Sequence, residues 1–367
     1  MGSKKTALYN NHVKLNGNII SFSGYLLPTY YSSIKEEYFA VRNFAGLFDV
    51  SHMGELIIEG SNAEKFINYI STNNLTNLSY GQAQYSLICN DKGGILDDVL
   101  IYKKQNGFMI VVNASNRKKI FNWFKLNAIE NIRIHDISDK IGLLALQGPK
   151  SLKILEETFN ISLSSLLYYH FIETKINNVD VIISRTGYTG ELGFELYINN
   201  DFIKNIWNDL ISFGSSSGLL PAGLASRDML RLEMNYNLYG NDIDKNINPI
   251  EAGLDWVVKF NKKKFIGKNA LLKIKSNLIY LSVCLEMQEK SIPRKGYKVF
   301  FKNKKIGQVT SGTMSLSQKK GIAKALIIKE YSKNGNNLLI DIRGKKKKAV
   351  IVSTPFYKTG SLLGNND

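Results

Sequence analysis

Two runs rich in β-branched and aliphatic residues, 83–90 and 95–102, flank the turn sequence Asn90-Asp91-Lys92-Gly93-Gly94. Glycine pairs mark turns and alternating apolar runs mark strands, so this stretch reads as a β-hairpin and commits its part of the chain to a sheet. Its second strand carries two carboxylates, Asp97 and Asp98, where Asp is normally depleted. Strand side chains alternate faces. Asp97 is therefore expected beside Ile95, Val99 and Ile101, and Asp98 beside Leu96, Leu100 and Tyr102. On that reading the two acids are not a dyad sharing one proton. Alternation leaves open whether one of them enters a pocket or both are edge-strand charges.

Around the hairpin, strands and helices interleave. Ser33 and Glu36 have capping-box spacing. Residues 46–56 read as a strand broken by a polar insert, and 63–71 as a helix with Phe66, Ile67 and Ile70 on one face. Residues 108–112 form a strand ending at a plausible helix cap, Asn113-Ala114-Ser115-Asn116. A second strand-to-helix unit joins 143–147 to Gly148-Pro149, with Pro149 suited to the first helical turn. Residues 179–184 are a strand, 202–213 an amphipathic helix, and 222–234 a helix with Arg227 and Arg231 one turn apart. This order predicts an α+β region over 1–275 rather than a doubly wound sheet. Short strands at 279–285, 298–301 and 348–352, set among turns and lysines, predict a small all-β domain over 276–367. The Arg343-Gly344-Lys345-Lys346-Lys347-Lys348 run reads as a solvated hairpin.

Several chemistries are excluded. Cys89 and Cys284 lie far apart, and His12, His52, His135 and His170 are scattered, so neither a zinc site nor any other metal is expected. Gly187, Gly190 and Gly193 are spaced G-x-x-G-x-x-G, which is not the dinucleotide fingerprint; neither a phosphate loop nor a G-x-S-x-G elbow is present. No apolar run reaches the roughly 18 to 20 residues of a membrane span. The net charge of +17 favours acidic partners, although a biased gene composition rich in Lys, Asn and Ile codons gives the same excess.

What remains is a set of polar groups at strand ends. Glu195 faces away from Phe194 and Leu196, on the side of Gly193 and Tyr197. A carboxylate beside a residue without a side chain suits a flat heterocycle with two adjacent N–H donors, by the bidentate geometry carboxylates offer Arg. A surface strand Glu is the alternative. Arg227 and Arg231 either clamp an anionic tail or pair with Asp228 and Glu233 within their helix.

Eight segments in order resemble the T-protein family of the glycine cleavage system, the tetrahydrofolate-dependent aminomethyltransferases. They are Gly46-Leu47-Phe48-Asp49-Val50-Ser51-His52-Met53, Gly93-Gly94-Ile95-Leu96-Asp97-Asp98, Leu146-Gln147-Gly148-Pro149, Thr186-Gly187-Tyr188-Thr189-Gly190-Glu191, Gly223-Leu224-Ala225-Ser226-Arg227-Asp228 with Arg231-Leu232-Glu233, Leu238-Tyr239-Gly240, Phe265-Ile266-Gly267-Lys268 and Thr310-Ser311-Gly312-Thr313. The resemblance implies an α+β, three-domain cloverleaf around a central folate site, closed by the C-terminal all-β barrel. It implies transfer of the methylene of an aminomethyl group, held on the lipoyl arm of H-protein, to tetrahydrofolate, with ammonia and dihydrolipoyl H-protein released. Asp98 matches the catalytic acid, and Met53, Tyr85, Asn113, Tyr188, Glu195 and Arg227 match folate-pocket positions. Tyr236 and Trp256 fall at the expected arm entrance, and Tyr85, Tyr102 and Tyr188 are expected to face the pterin and aminobenzoyl rings. Tetrahydrofolate is the co-substrate, without a metal. The partners implied are lipoylated H-protein with the system's P-protein and L-protein, and neither nucleic acid nor membrane.

Two departures stand out. Leu316 replaces a usual Pro in Ser315-Leu316-Ser317, which predicts a less rigid loop, and Lys358-Thr359-Gly360-Ser361 lacks the family's Tyr or Arg, leaving Tyr357 or Lys358 as substitutes. A folate-binding accessory protein of the iron–sulfur maintenance type shares the scaffold but carries K-G-C-[YF]-x-G-Q, where this chain has Thr186-Gly187-Tyr188-Thr189-Gly190-Glu191. A folate-dependent demethylase is a further alternative. The match begins at Thr6, so a bacterial cytoplasmic protein is expected.

Overall fold

The computed structural model describes residues 2–364; Met1 and the last three residues of the 276–367 unit lie outside the described residues. Two sheets face one another. The first, of six strands, runs in the order Phe171–Ile176, Val179–Ser184, Gly193–Asn199, Ile141–Gln147, Ala45–Asp49, Leu219–Pro221. The second, of five strands, runs Ala83–Cys89, Ile95–Lys104, Gly107–Val112, Gly54–Glu59, Arg133–Asp136. Phe48, Ala145 and Tyr197 from one sheet pack against Tyr102, Met109 and Val111 from the other. Helices cover the outer faces: Ser151–Phe159 and Ile203–Gly214 on the first sheet, Ala63–Ile70 and Arg117–Leu126 on the second. The mixture is the α+β arrangement the element order predicts.

The 46–56 stretch is not one strand. Ala45–Asp49 belongs to the six-stranded sheet and Gly54–Glu59 to the other, and the polar residues between them carry the chain across. The expected hairpin forms, with the Asn90 side chain accepting from the Lys92 and Gly94 backbone N–H groups. Gly94 is required there, since a Cβ would sit 1.9 Å from the Lys245 carbonyl oxygen. The hairpin's register slips by one residue, with Ile88 opposite Asp97 and Cys89 opposite Ile95. Leu96 is the extra residue of this bulge, which breaks the alternation. It packs with Val99 and Ile101 rather than on the side of Asp98, and Ile95 crosses over to pack with Leu87 and Cys89. Leu100 and Tyr102 keep the expected side.

Other local expectations divide. Ser33 caps the Ile34–Asn43 helix by accepting from Glu36 N, and Phe66, Ile67 and Ile70 are buried together. The helix after Pro149 begins at Ser151, leaving the proline just ahead of its first turn. Asn113 caps nothing with its side chain, which is held by two carboxylates instead.

Between the two sheets lies an unpaired acid. Glu55 sits opposite Val111, is 1 % exposed, and neither carboxylate oxygen has a hydrogen-bond partner. Burial, and to a lesser extent Asp136, raises its pKa well above the usual carboxylate value against the opposing pull of Arg117. The folded chain therefore keeps a proton that the unfolded chain gives up above about pH 4.3, and stability falls as pH rises through that window, by up to about 1.4 kcal/mol per pH unit. Glu55→Gln, which mimics the neutral acid, is expected to leave acid stability unchanged and to flatten the loss toward alkaline pH. Urea midpoints of both proteins from pH 4 to 9 check this; parallel curves would refute it.

Beyond the Lys268–Ser276 helix, six strands close a barrel in the order Tyr280–Met287, Lys320–Ile328, Lys304–Ser315, Lys298–Phe301, Asn337–Ile342, Lys345–Val352. Its last hairpin turns at Arg343 and Gly344, both at positive φ, with lysines exposed on the following strand. The Leu224–Glu233 helix ties the barrel to the rest, through Arg231 to Ser311 and above all through Glu233. The Glu233 carboxylate accepts from Tyr38 Oη, Arg42 Nη2, Ser315 Oγ and Ser317 Oγ. The Ser315-Leu316-Ser317 loop is thus pinned at both hydroxyls, contrary to the looseness expected from its missing proline. Among the described residues, no helix is long and apolar enough to cross a membrane.

Candidate active site

Asp98 lies on the face of the Ile95–Lys104 strand that carries Leu100 and Tyr102 and is turned toward the facing sheet. Its Oδ2 accepts from Tyr85 Oη at 3.1 Å and its Oδ1 from Asn113 Nδ2 at 2.7 Å. The Tyr85 ring stacks on Trp256, 5.9 Å between centroids at 20°. Trp256 is 58 % exposed, so the aromatic pair connects Asp98 to the surface. Asp97 points to the opposite face and is fully buried. Asn113 Nδ2 also donates to Asp97 Oδ1, at 2.8 Å, so the two acids share an amide rather than a proton. Burial and then the charge on Asp98 push Asp97 upward against the pull of the Asn113 and Asn116 donors that hold it as a carboxylate, and burial raises Asp98 too.

Glu195 projects from the facing sheet. It is not a surface acid: it is buried, and Thr186 Oγ1 donates to its Oε2 at 2.5 Å. Thr186 Oγ1 lies 3.4 Å from Tyr102 Oη, itself 2.9 Å from Tyr197 Oη, so a line of hydroxyls backs the carboxyl. Tyr102 is 0 % exposed, which makes it part of this backing and not a face for a ligand ring, as its place in the sequence had suggested. Burial raises Glu195, opposed by Thr186 and the positive charge of Arg227. Arg227 and Arg231 differ sharply. Arg231 reaches Asp228, Asp242, Ser311 and the Tyr236 carbonyl, so its tie to Asp228 follows the helical pairing while Glu233 is taken by Arg42. Arg227 has no carboxylate partner among the described residues, and its buried Nη1 has no partner of any kind. Its guanidinium lies 5.0 Å from the Tyr188 ring centroid, and burial lowers its pKa.

Tyr188 stacks on Tyr236, 5.6 Å apart at 25°, and donates to the Asn237 carbonyl. The charges of Asp98 and Arg227 both act on the Tyr188 hydroxyl, so the two ends of the cleft meet at this ring. Met53 lies half-buried in the same inter-sheet cluster. The structure thus links Asp98, Tyr85, Asn113 and Trp256 on one side with Tyr188, Tyr236, Arg227 and Glu195 on the other, with Met53 in the core cluster between the sheets.

Three participants were not evident in the sequence. Thr186 orients Glu195, and only its place two residues before Tyr188 could have drawn attention. His52, one of the scattered histidines, is buried with Nδ1 unpartnered; burial and then Arg227 lower it to about 4, which keeps it neutral. Arg42 carries the Tyr357 ring at 3.8 Å, which fixes the C-terminal tail beside the cleft, while Lys358 is exposed.

Comparison with known proteins fits this geometry. The family model described as the GCVT N-terminal domain matches residues 8–262, and that of the glycine cleavage T-protein C-terminal barrel domain matches residues 282–358. The aminomethyltransferase of Halothermothrix orenii is 46 % identical over 355 residues, covering 96 % of this chain and 99 % of that protein. The aminomethyltransferase of Caldanaerobacter subterraneus subsp. tengcongensis is 46 % identical over 359 residues, covering 97 % and 96 %. The crystal structure of glycine cleavage system aminomethyltransferase T from Bartonella henselae superposes with a TM-score of 0.91 at 31 % identity, covering 97 % of this chain and 99 % of that one.

Proposed function

The chain belongs to the glycine cleavage T-protein family and is an aminomethyltransferase of that system, and on this premise we propose how its cleft carries the reaction. Its substrate is the aminomethyl thioether on the lipoyl arm of H-protein, in a system completed by P-protein and L-protein. The methylene leaves for tetrahydrofolate as 5,10-methylenetetrahydrofolate, the nitrogen leaves as ammonia, and the arm is left as dihydrolipoyl H-protein. The observation that carries the reading is the contrast at Arg227: a buried guanidinium nitrogen without a partner, beside a buried carboxyl, in the cleft that Asp98 also enters. An unpaired buried donor is costly unless a ligand completes it.

Tetrahydrofolate supplies an amine nitrogen that accepts the carbon. The chain's own groups bind and orient. Glu195, held by Thr186, offers its remaining oxygen to the N–H edge of the pterin, and Arg227 supplies a positive charge beside it. Tyr85 and Tyr188 give flat faces, and Met53 and Asn113 line the floor. Tyr236, stacked on Tyr188, and Trp256, stacked on Tyr85, flank the arm's way in. Asp98 then faces the carbon as its bond to sulfur breaks. The carboxylate stabilises the positive charge building there, takes the proton that the folate N5 sheds as it attacks, and hands it to the departing amine; the proton lost from N10 as the ring closes ends on the departing sulfur. Burial strengthens that interaction because little water screens it.

The setting we infer is a bacterial cytoplasm, supported by the bacterial source of the relatives. The test is ammonia release from aminomethyl-loaded H-protein with purified chain and tetrahydrofolate. Turnover dependent on both partners is expected. A folded chain that binds folate without turning over would overturn the reading in favour of an accessory folate protein.

A further inference from the structure

The fully buried acid on the far face of the strand has an arrangement that filling space does not require. Asp97 Oδ2 accepts from the Asn113 backbone N–H at 3.0 Å. Its Oδ1 accepts from two side-chain amides, Asn113 Nδ2 and Asn116 Nδ2. All three neighbours are donors, so only a group that accepts at both oxygens fits. Asn113 has two amide hydrogens, and the second goes to Asp98 Oδ1. From the other side, Lys119 Nζ donates to Asn116 Oδ1 at 2.8 Å and to Tyr239 Oη at 2.9 Å. A continuous line of hydrogen bonds therefore runs from the ammonium of the exposed Lys119 through Asn116, Asp97 and Asn113 to Asp98.

We infer that Asp97 is a positioning residue for Asp98, because its carboxylate fixes the Asn113 amide with the NH2 side, and not the carbonyl, turned toward Asp98. This rests on the reading of Asp98 as the acid that meets the transferred carbon. Asn at position 97 necessarily sets an NH2 group against a donor. If it opposes the two amides, Asn113 relieves the conflict by turning over, which puts a carbonyl oxygen against Asp98 and removes its donor. If it opposes the Asn113 backbone N–H instead, the end of the strand that carries Asn113 shifts. Either way Asp98 loses its orientation, while Glu195, Arg227 and Tyr188 keep theirs. The charged and titratable groups facing the pair are Lys119 and Tyr239 on the Asp97 side and Tyr85, Tyr188, Tyr239 and Asp242 on the Asp98 side.

The experiment is steady-state kinetics of the full chain with loaded H-protein. Asp97→Asn is expected to lower kcat about 10- to 100-fold while KM for tetrahydrofolate stays within about three-fold, the pattern of a misplaced reacting group. Asn113→Ala is expected to move the acid limb of the kcat profile to higher pH, since an anion that loses an N–H donor is protonated more readily. Unchanged kcat in Asp97→Asn, or a fall matched by a rise in KM, would overturn the inference, as would a fixed acid limb in Asn113→Ala. Should Asp97→Asn not fold, Asn116→Ala takes its place: a fall in kcat alone supports the inference and no fall refutes it. Full turnover by Asp98→Asn would instead defeat the underlying reading of Asp98. Loss there with no effect at position 97 defeats only this inference.

Discussion

Asp98→Asn is expected to lower turnover by roughly 10²–10⁴-fold, the usual cost of removing a positioned acid or base, while tetrahydrofolate affinity changes by no more than about three-fold. The substitution preserves shape. Of the two hydrogen bonds Asp98 accepts, from Tyr85 Oη and Asn113 Nδ2, the new side chain can keep one through its carbonyl, so local collapse is not the source of the loss. What disappears is negative charge beside a carbon that becomes positive as sulfur departs. Affinity is retained because the groups assigned to the pterin, Glu195 and Arg227, come from the facing sheet and the Leu224–Glu233 helix, not from this strand. Single-turnover ammonia release and calorimetric folate titration measure the two quantities separately. Retained turnover would remove Asp98 from the chemistry; an equal loss of folate affinity would make it a binding group.

The second large effect concerns stability. Arg42→Met is expected to destabilise the chain by about 3–5 kcal/mol, the cost of leaving buried charges without a partner. The Arg42 guanidinium lies between Glu191 and Glu233, 2.8 Å from each, and all three side chains are almost wholly buried. It also donates to the Thr189 carbonyl at 2.7 Å and supports the Tyr357 ring. Glu191 in turn holds Ser361 of the tail, so removing Arg42 strips charge balance from two acids and an anchor from the C-terminal segment. Arg42→Lys is expected to recover only part of the loss, because a single ammonium cannot span three separated acceptors as a guanidinium does. Guanidinium chloride unfolding followed by far-UV circular dichroism reads the difference. A midpoint within error of the parent in Arg42→Met would show that the triad contributes nothing to stability.

Much of this was legible before any coordinates. The Asn90–Gly94 turn, the barrel strands and the outer helices follow from period and punctuation, because local sterics and apolar spacing determine them. The bulge at Leu96 was not legible: inserting one residue into one strand leaves no mark in a run that is apolar on both faces, and only pairing with 83–89 reveals it. The 46–56 stretch failed for a related reason, since nothing local says that a strand's continuation joins a different sheet. Of the candidate site, Asp98 is expected from an ordered motif and Glu195 from strand alternation and the family resemblance, while Thr186, His52 and Arg42 act through tertiary contacts of ordinary-looking residues. The misreading of Tyr102 has the same origin. Alternation gave its side of the strand correctly but not the second sheet that covers it.

Glu233 has a consequence in time as well as in space. Its carboxylate takes hydrogen bonds from Tyr38 and Arg42, which precede it in the chain, and from Ser315 and Ser317, which are synthesised well after it. Its backbone carbonyl accepts from Phe356 and Tyr357, which follow the barrel strands in the chain. A nascent chain that has completed both facing sheets thus still lacks half of this acid's partners. The order of synthesis therefore leaves Glu233 incompletely paired until the barrel and the segment after it have been made.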